Sequence, residues 1–273
     1  MVELAYSFHI GNDKNKTKKA KQKNTPTNYN NNAIQNAMQL SKVNHHNLRQ
    51  YDNNPEKIKT LYGSNDIVKD VKELYKQEFE EARLEYNSKQ SRLSRMIDNY
   101  FDNVSNNEKK DLACEIILEL GDKEYWDTKD EKFKKRMSEV YKKQVDDLEL
   151  LVPNFKVASA IINYDETSPH LHIVGVPIKY KNKNGMEKQV GKSDVFTKES
   201  LIRLQDKMRT LCIEEFNEVY SLESTLKQKQ KGRNRDIHVS NMDNYIEMKK
   251  QIEKNTENLK QAKKKIFRVK TKL

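Results

Sequence analysis

Residues 163–178 read NYDETSPHLHIVGVPI, a polar turn that passes through Pro169 into an apolar run. Side chains two apart on an extended strand share a face, so His170 and His172 project together while Leu171 points the other way. Two imidazoles one strand repeat apart can converge on a single cation, at metal–nitrogen distances of about 2.1 Å. The run IVGVP behind them has the composition of a buried strand, and Pro169 stiffens its entry. Asp165 and Glu166, on the turn, are placed to supply an oxygen ligand or to accept from an imidazole N–H. A bare His-x-His at a strand end is a common polar patch. This one is set apart by two acids, a proline and two same-face histidines compressed just before an apolar strand.

The stretch just upstream, FKVASAIIN at 155–163, is also β-prone, and the short polar link makes the two strands a hairpin. Other elements arrange themselves around it. Val2 to Ile10 reads as a first strand, stopped by Gly11-Asn12-Asp13. Asp111 to Leu120 reads as another, with Leu112, Cys114, Ile116 and Leu118 alternating against Ala113, Glu115 and Ile117. Apolar residues at helical spacing run through 66–104 as one or two long helices, and again through 128–150. Residues 33–50 suit a short helix followed by a polar turn. A helix opens at TKESL with Thr197 as its N-cap and runs to about residue 220. These elements predict an α+β fold: an antiparallel sheet with the 155–163 and 170–178 strands central and helices packed on one face.

Residues 14–32 are rich in Lys, Asn and Thr, have no period and read as a loop. Beyond Ser221 the chain becomes KQKQKGRNRD and then a Lys-, Glu- and Gln-rich helix over roughly 241–273. The expected division is a domain at 1–222 followed by a basic linker and helical tail at 223–273.

With 35% hydrophobic and 34% charged residues among 273, the core must be lean. A net charge of +11 suits a polyanion, nucleic acid first and an anionic membrane surface second. Cys114 and Cys212 sit far apart among apolar residues, which predicts buried thiols and a reducing compartment. No apolar run approaches the ~20 residues of a membrane span, and the N-terminus lacks a signal-peptide pattern, so a cytoplasmic location is expected.

The string DETSPHLHIVGVPI closely resembles the third motif of plasmid mobilisation and recombination relaxases of the Mob/Pre type, the MOBV group of the HUH endonucleases. The family motif reads HxDExxPHxH. His170, His172, Asp165 and Glu166 match it, and Asn163 stands where the family has its first histidine. The resemblance implies a divalent cation held by His170 and His172, with Asn163, Glu166 or water in the place of the first histidine and Asp165 behind them. An amide oxygen is a harder ligand than imidazole, which favours Mn²⁺ or Mg²⁺ over zinc. A second resemblance, to the family's early HNxR motif, covers His46-Asn47-Leu48-Arg49. It implies His46 as the nucleophile. Neutral imidazole is competent at phosphorus near pH 7. Arg49 would brace a phosphate through its planar fork, and Asn47 would orient the imidazole. Tyr51, Tyr62 and His45 stay open as alternative nucleophiles.

The implied activity is site- and strand-specific DNA nicking and rejoining at a transfer origin, through a covalent protein–DNA intermediate. The implied partner is single-stranded or hairpin DNA. Lys179, Tyr180, Lys181, Lys183, Lys192, Arg233 and Arg235 are candidate DNA contacts, the lysines and arginines on phosphates and Tyr180 by stacking on a base. In the family the C-terminal portion is helical, which implies a homodimer through the tail. By that standard this chain ends early. Two alternatives stay open: a rolling-circle initiator or transposase of the same chemistry, and a DNA-binding autoregulator whose metal site has decayed. Asn163 is the feature that keeps the second alive.

Overall fold

The computed structural model describes residues 2–11, 33–52, 54–229 and 254. The chain begins with strands β1 (Glu3–Leu4), β2 (Tyr6–Ile10) and β3 (Ala33–Ile34), and then helix α1 (Ala37–Asn47). Next come strand β4 (Ile58–Tyr62) and helices α2 (Ile67–Ser88) and α3 (Tyr100–Ser105). Strand β5 (Ala113–Leu120) leads to helices α4 (Lys123–Trp126), α5 (Glu131–Lys135) and α6 (Met137–Leu151). The hairpin follows as β6 (Phe155–Asn163) and β7 (His170–Lys179), then β8 (Gln189–Val190), helices α7 (Lys192–Val195) and α8 (Lys198–Tyr220), and strand β9 (Thr225–Leu226).

The main sheet runs β2-β5-β7-β6-β4, with β3 also on β5 and β8 also on β7, every pairing antiparallel. β7 is the central strand and β6 lies beside it, as the hairpin reading requires. Strand β4 was not visible in the sequence, because IKTLY is short, mixed and only half-buried at the sheet edge. The 66–104 segment holds one long helix and a short one, and Asp66 caps the long one by accepting from Lys69 N–H.

Helices cover both faces of the sheet, not one. Leu171 and Ile173 pack with Met137, Val140 and Leu148 of α6 and with Met208 and Phe216 of α8. On the other face, Val174, Val176 and Ile178 join Ile67, Val71, Tyr75 and Phe79 of α2 and Leu40 of α1. The reason lies in β7 itself, which is buried at every position but its last. A strand apolar on both sides needs a cover on both sides. Cys114 and Cys212 are buried thiols within the first of these layers.

Thr197 caps α8 as its sequence predicts, its Oγ1 accepting from Ser200 N–H at 3.1 Å. Past it, β9 pairs in parallel with β1, so the chain beyond residue 222 still belongs to the sheet-bearing unit, which runs to Lys229. No described helix is long and apolar enough to cross a membrane. The 14–23 lysines, Arg233, Arg235 and, apart from residue 254, the 241–273 tail lie outside the described residues.

Candidate active site

The entry of β7 and the end of α1 meet on the face of the sheet covered by α1 and α2. Asn36 caps α1, accepting from Gln39 N–H at 3.0 Å, and the helix carries His45, His46 and Asn47 in its last turn. Asn44 ties this helix to the next, its Oδ1 accepting from Ile67 N–H at 2.8 Å. The chain then reverses at Arg49, which takes a left-handed φ of +48° and donates its N–H to His46 O at 3.1 Å. A side chain in that conformation costs about 1–2 kcal/mol, and glycine is the usual occupant.

The guanidinium accounts for the choice of arginine. It is buried beneath the helix end, and each of its nitrogens is engaged. Nε and Nη2 donate to Asp165 Oδ1 at 3.0 and 2.8 Å, and Nη2 also reaches Glu166 Oε1 at 2.5 Å. Nη1 donates to His46 O at 2.8 Å. Asn163 completes the shell. With its amide turned so that oxygen meets donors, the oxygen accepts from Nη1 and Nη2 of Arg49 at 2.9 and 3.1 Å, and its NH₂ donates to Asn47 O at 3.0 Å. Arg49 is thus a clamp between two segments 116 residues apart in sequence, with no free nitrogen to offer a phosphate. Asn163 faces that clamp.

The histidines are held by a strand that the motifs do not contain. Across the β5–β7 register, Glu119 stands opposite His170 and Ile117 opposite His172. Glu119 Oε1 meets His170 Nε2 at 3.0 Å, while the other ring nitrogen meets Ser168 O at 2.5 Å. Glu115 Oε1 meets His172 Nδ1 at 3.0 Å and accepts from Asn47 Nδ2 at 2.8 Å. Asn47 therefore addresses Glu115, not the His46 imidazole. Sequence reading missed both glutamates. The signal was present: two acids at i and i+4 on one face of an otherwise apolar, buried strand require partners.

His46, with 54% of its side chain exposed, lies with Nε2 at 3.7 Å from Glu166 Oε1 and its ring edge-on to His172, centroids 5.7 Å apart. Donor atoms of His46, Glu166 and His172 all fall within 4.8 Å of one another. His170 Nε2 stands 3.5 Å from the second Glu166 oxygen. Two or three imidazoles with a carboxylate suit a first-row divalent cation, so the residues fit such an ion. Among the His, Cys, Asp and Glu side chains of the described residues this cluster gains His46 over the expected ligands, His170 stands at its edge, and Asn163 faces Arg49.

Electrostatics follow from this packing. Partial burial, then His172 and Arg49, hold the His46 pKa below its ordinary value, so the ring is neutral near pH 7. Burial alone would lower His170, but the bond and charge of Glu119, with Glu166, raise it to about 9. Burial alone would raise Glu166, but the charges of His170 and His172, with Arg49, bring it down to about 2.

The remaining expected residues fall elsewhere. Tyr51 is exposed and its ring meets His45, centroids 5.7 Å apart. Tyr62 ends β4, roughly 13 Å along the strand from Ile58, the residue paired with Asn163. Lys179, Tyr180, Lys181 and Lys183 leave the far end of β7, about 30 Å from His170. Lys179 pairs with Asp194 at 2.7 Å, and the half-buried Lys192 pairs with Asp111 at 3.2 Å. Direct succession to the histidine strand suggested these residues as DNA contacts; the length of β7 stands between them and the histidines.

The chain thus carries an antiparallel sheet with two same-face histidines and a third histidine brought onto them by a preceding helix. Solved structures agree in fold. The Mn-bound MobM relaxase domain (MOBV; Mob/Pre) with 22-nucleotide plasmid pMV158 oriT DNA, at pH 5.5, is 16% identical, with a TM-score of 0.51 over 89% of this chain and 99% of that one. The same domain with a 22-nucleotide DNA bearing a 3′ thiophosphate is 16% identical, with a TM-score of 0.50 over 89% and 98%. No curated protein matches. Residues 29–223 match the family described as plasmid recombination enzyme, and the chain belongs to that Mob/Pre family.

Proposed function

We propose that this protein nicks one DNA strand at a plasmid transfer origin, holds the 5′ phosphate on His46, and later rejoins the strand. The carrying observation is the Arg49 clamp, which ties segments 116 residues apart and so brings His46 against Glu166 and His172. That the related MobM domain structures contain oriT DNA and Mn supports the same substrate and a divalent ion here.

The chain's own groups divide the work. Neutral His46 attacks phosphorus with a ring lone pair. The P–O3′ bond breaks, the departing oxygen takes up a proton, and a phosphoramidate remains. Attack by a 3′ hydroxyl reverses the sequence and frees the ring. His170, His172 and Glu166 are the residues that would hold Mn²⁺ or Mg²⁺, and the bound ion would draw charge from the phosphoryl oxygens. Glu115 accepts from Nδ1–H of His172 and so turns the lone pair of Nε2 toward the site. Asp165 anchors Arg49, and Asn163 serves Arg49 instead of the cation. The setting is the cytoplasm, where plasmid DNA lies.

One observation favours a second reading, a DNA-binding protein without nicking activity: Glu166 and Asn163 are both engaged by Arg49. A denaturing gel separates the two. Labelled single strands tiling the parent replicon's origin are incubated with Mn²⁺, Mg²⁺ or EDTA, alongside His46→Ala and Tyr51→Phe. The expected result is a metal-dependent covalent band lost in His46→Ala. A band lost only in Tyr51→Phe would move the nucleophile to the phenol. No band, with specific binding kept in a native gel, would establish the binding-protein reading.

A further inference from the structure

Helix α1 presents two faces. Leu40, Asn44 and Asn47 turn inward and are buried, while Met38, Lys42 and His45 share the outer stripe at i, i+4 and i+7. Met38 is 68% exposed. The reversal at Arg49 brings the chain back over this stripe, so that the Tyr51 ring, 59% exposed, meets the His45 ring at 40°. Backbone bonds hold the pair in place. Gln50 N–H donates to His45 O at 3.1 Å, and Asp52 N–H donates to Arg49 O at 2.7 Å. Lys57 pairs with the Asp52 carboxylate and anchors the far side of the turn. The helix, AMQLSKVNHHN, contains no acidic residue to oppose a phosphate.

We propose that His45 and Tyr51 form a stacking seat for the unpaired base that flanks the scissile phosphate, with Lys42 contacting the next phosphate along the strand. The proposal rests on the nicking reading and names a subsite for it. His45 adjoins His46, whose ring faces the reactive cluster, so the seat stands about one residue, ~3.8 Å between Cα atoms, from the nucleophile. Aromatic faces accept any base, and a stacked base is worth about 1–3 kcal/mol by alanine substitution, so the seat positions the strand without reading its sequence. The ordered backbone means that little conformational freedom is lost on binding. Lys42 lies one helical turn back, on the same stripe. The seat also explains why exposed aromatic surface is kept beside the site.

The test begins with wild-type protein and origin oligonucleotides, to map the nick from the covalent adduct. Oligonucleotides carrying 2-aminopurine at either nucleotide flanking the mapped site are then titrated in EDTA, which stops the chemistry. Stacking is expected to quench one of the two flanking positions. Tyr51→Ala should abolish that quench and weaken binding about tenfold, whereas Tyr51→Phe should keep both. An abasic nucleotide at the quenched position should weaken the wild type by a similar factor and erase the Tyr51→Ala effect. The thermal midpoint of Tyr51→Ala controls for folding, which an exposed side chain should leave intact. Wild-type adduct with unchanged quench and affinity in Tyr51→Ala would overturn the seat alone. A Tyr51→Ala loss that persists on the abasic strand would overturn stacking. Absence of any wild-type adduct would overturn the nicking reading and this subsite with it.

Discussion

Arg49→Ala tests whether the clamp builds the site. The guanidinium is 2% exposed and faces two carboxylates whose side chains are 21% and 18% exposed. Removing one partner of a buried ion pair costs about 3–5 kcal/mol. Partial hydration of the two carboxylates lowers that to roughly 2–4 kcal/mol. Alanine would still hold φ at +48° and keep the left-handed strain, whereas glycine would recover about 1 kcal/mol of it. Arg49→Gly should therefore be more stable than Arg49→Ala, and both less stable than the parent. Urea denaturation at neutral pH should show the alanine midpoint falling by about 1 M at unchanged slope. The pH dependence gives a second check. The Glu166 pKa is depressed from 4.5 to about 2, so its stabilising contribution is present above 4.5 and lost as pH falls toward 2. The gap between parent and Arg49→Ala should narrow over that window. An alanine variant within about 0.5 kcal/mol of the parent would refute the clamp, since surface changes have that size. A glycine variant no better than alanine would refute the strain argument.

Three further outcomes follow from the same geometry. Glu115→Ala should weaken Mn²⁺ binding about 10–100-fold by calorimetry or EPR, while Glu115→Gln, which keeps an acceptor oxygen, should lose less; equal affinity in all three proteins would remove Glu115 from the site. His170, with a pKa raised from 6.5 to about 9, must shed a proton before ligating, so Mn²⁺ affinity should climb with pH up to about 9 and level off beyond it. In the metal-free protein that raised pKa contributes stability in full below 6.5, and the contribution is lost as pH rises through about 9; chemical denaturation across that range checks the sign. Between α6 and α8, burial and the neighbouring Asp147 push Glu215 from 4.5 up to about 8, while Gln144 donates to it at 2.9 Å. Stability from this group is complete below 4.5 and lost as pH rises through about 8, so Glu215→Gln should raise the melting temperature more at pH 9 than at pH 5; an equal change at both would contradict the assignment.

Much of the frame was legible locally. The β6–β7 hairpin followed from β-prone runs and a short polar link, and the shared face of His170 and His172 from the two-residue period of any strand. The α8 helix followed from its cap at Thr197, and residues 33–50 suited a short helix. Strand β4 stayed hidden because an edge strand of mixed composition has no periodic signature. Covering helices on both faces was implicit in the unbroken apolar run of β7, but the run alone does not say which helices supply the cover.

The sequence by itself determined which stretches are candidates for reactive chemistry: HHNLR at 45–49 and DETSPHLH at 165–172, each defined by spacings of a few residues that local geometry converts into shared faces. Only the tertiary structure decided how those residues are used. It set Glu115 and Glu119 behind the histidines through the β5–β7 register. It turned Arg49 inward onto Asp165 and Glu166, gave Asn163 to Arg49, and carried the 179–183 lysines to the far end of the sheet. These choices depend on contacts between residues 57, 68 and 116 positions apart. Such contacts come from strand register and helix docking, which the burial of whole faces selects and no short stretch of sequence specifies.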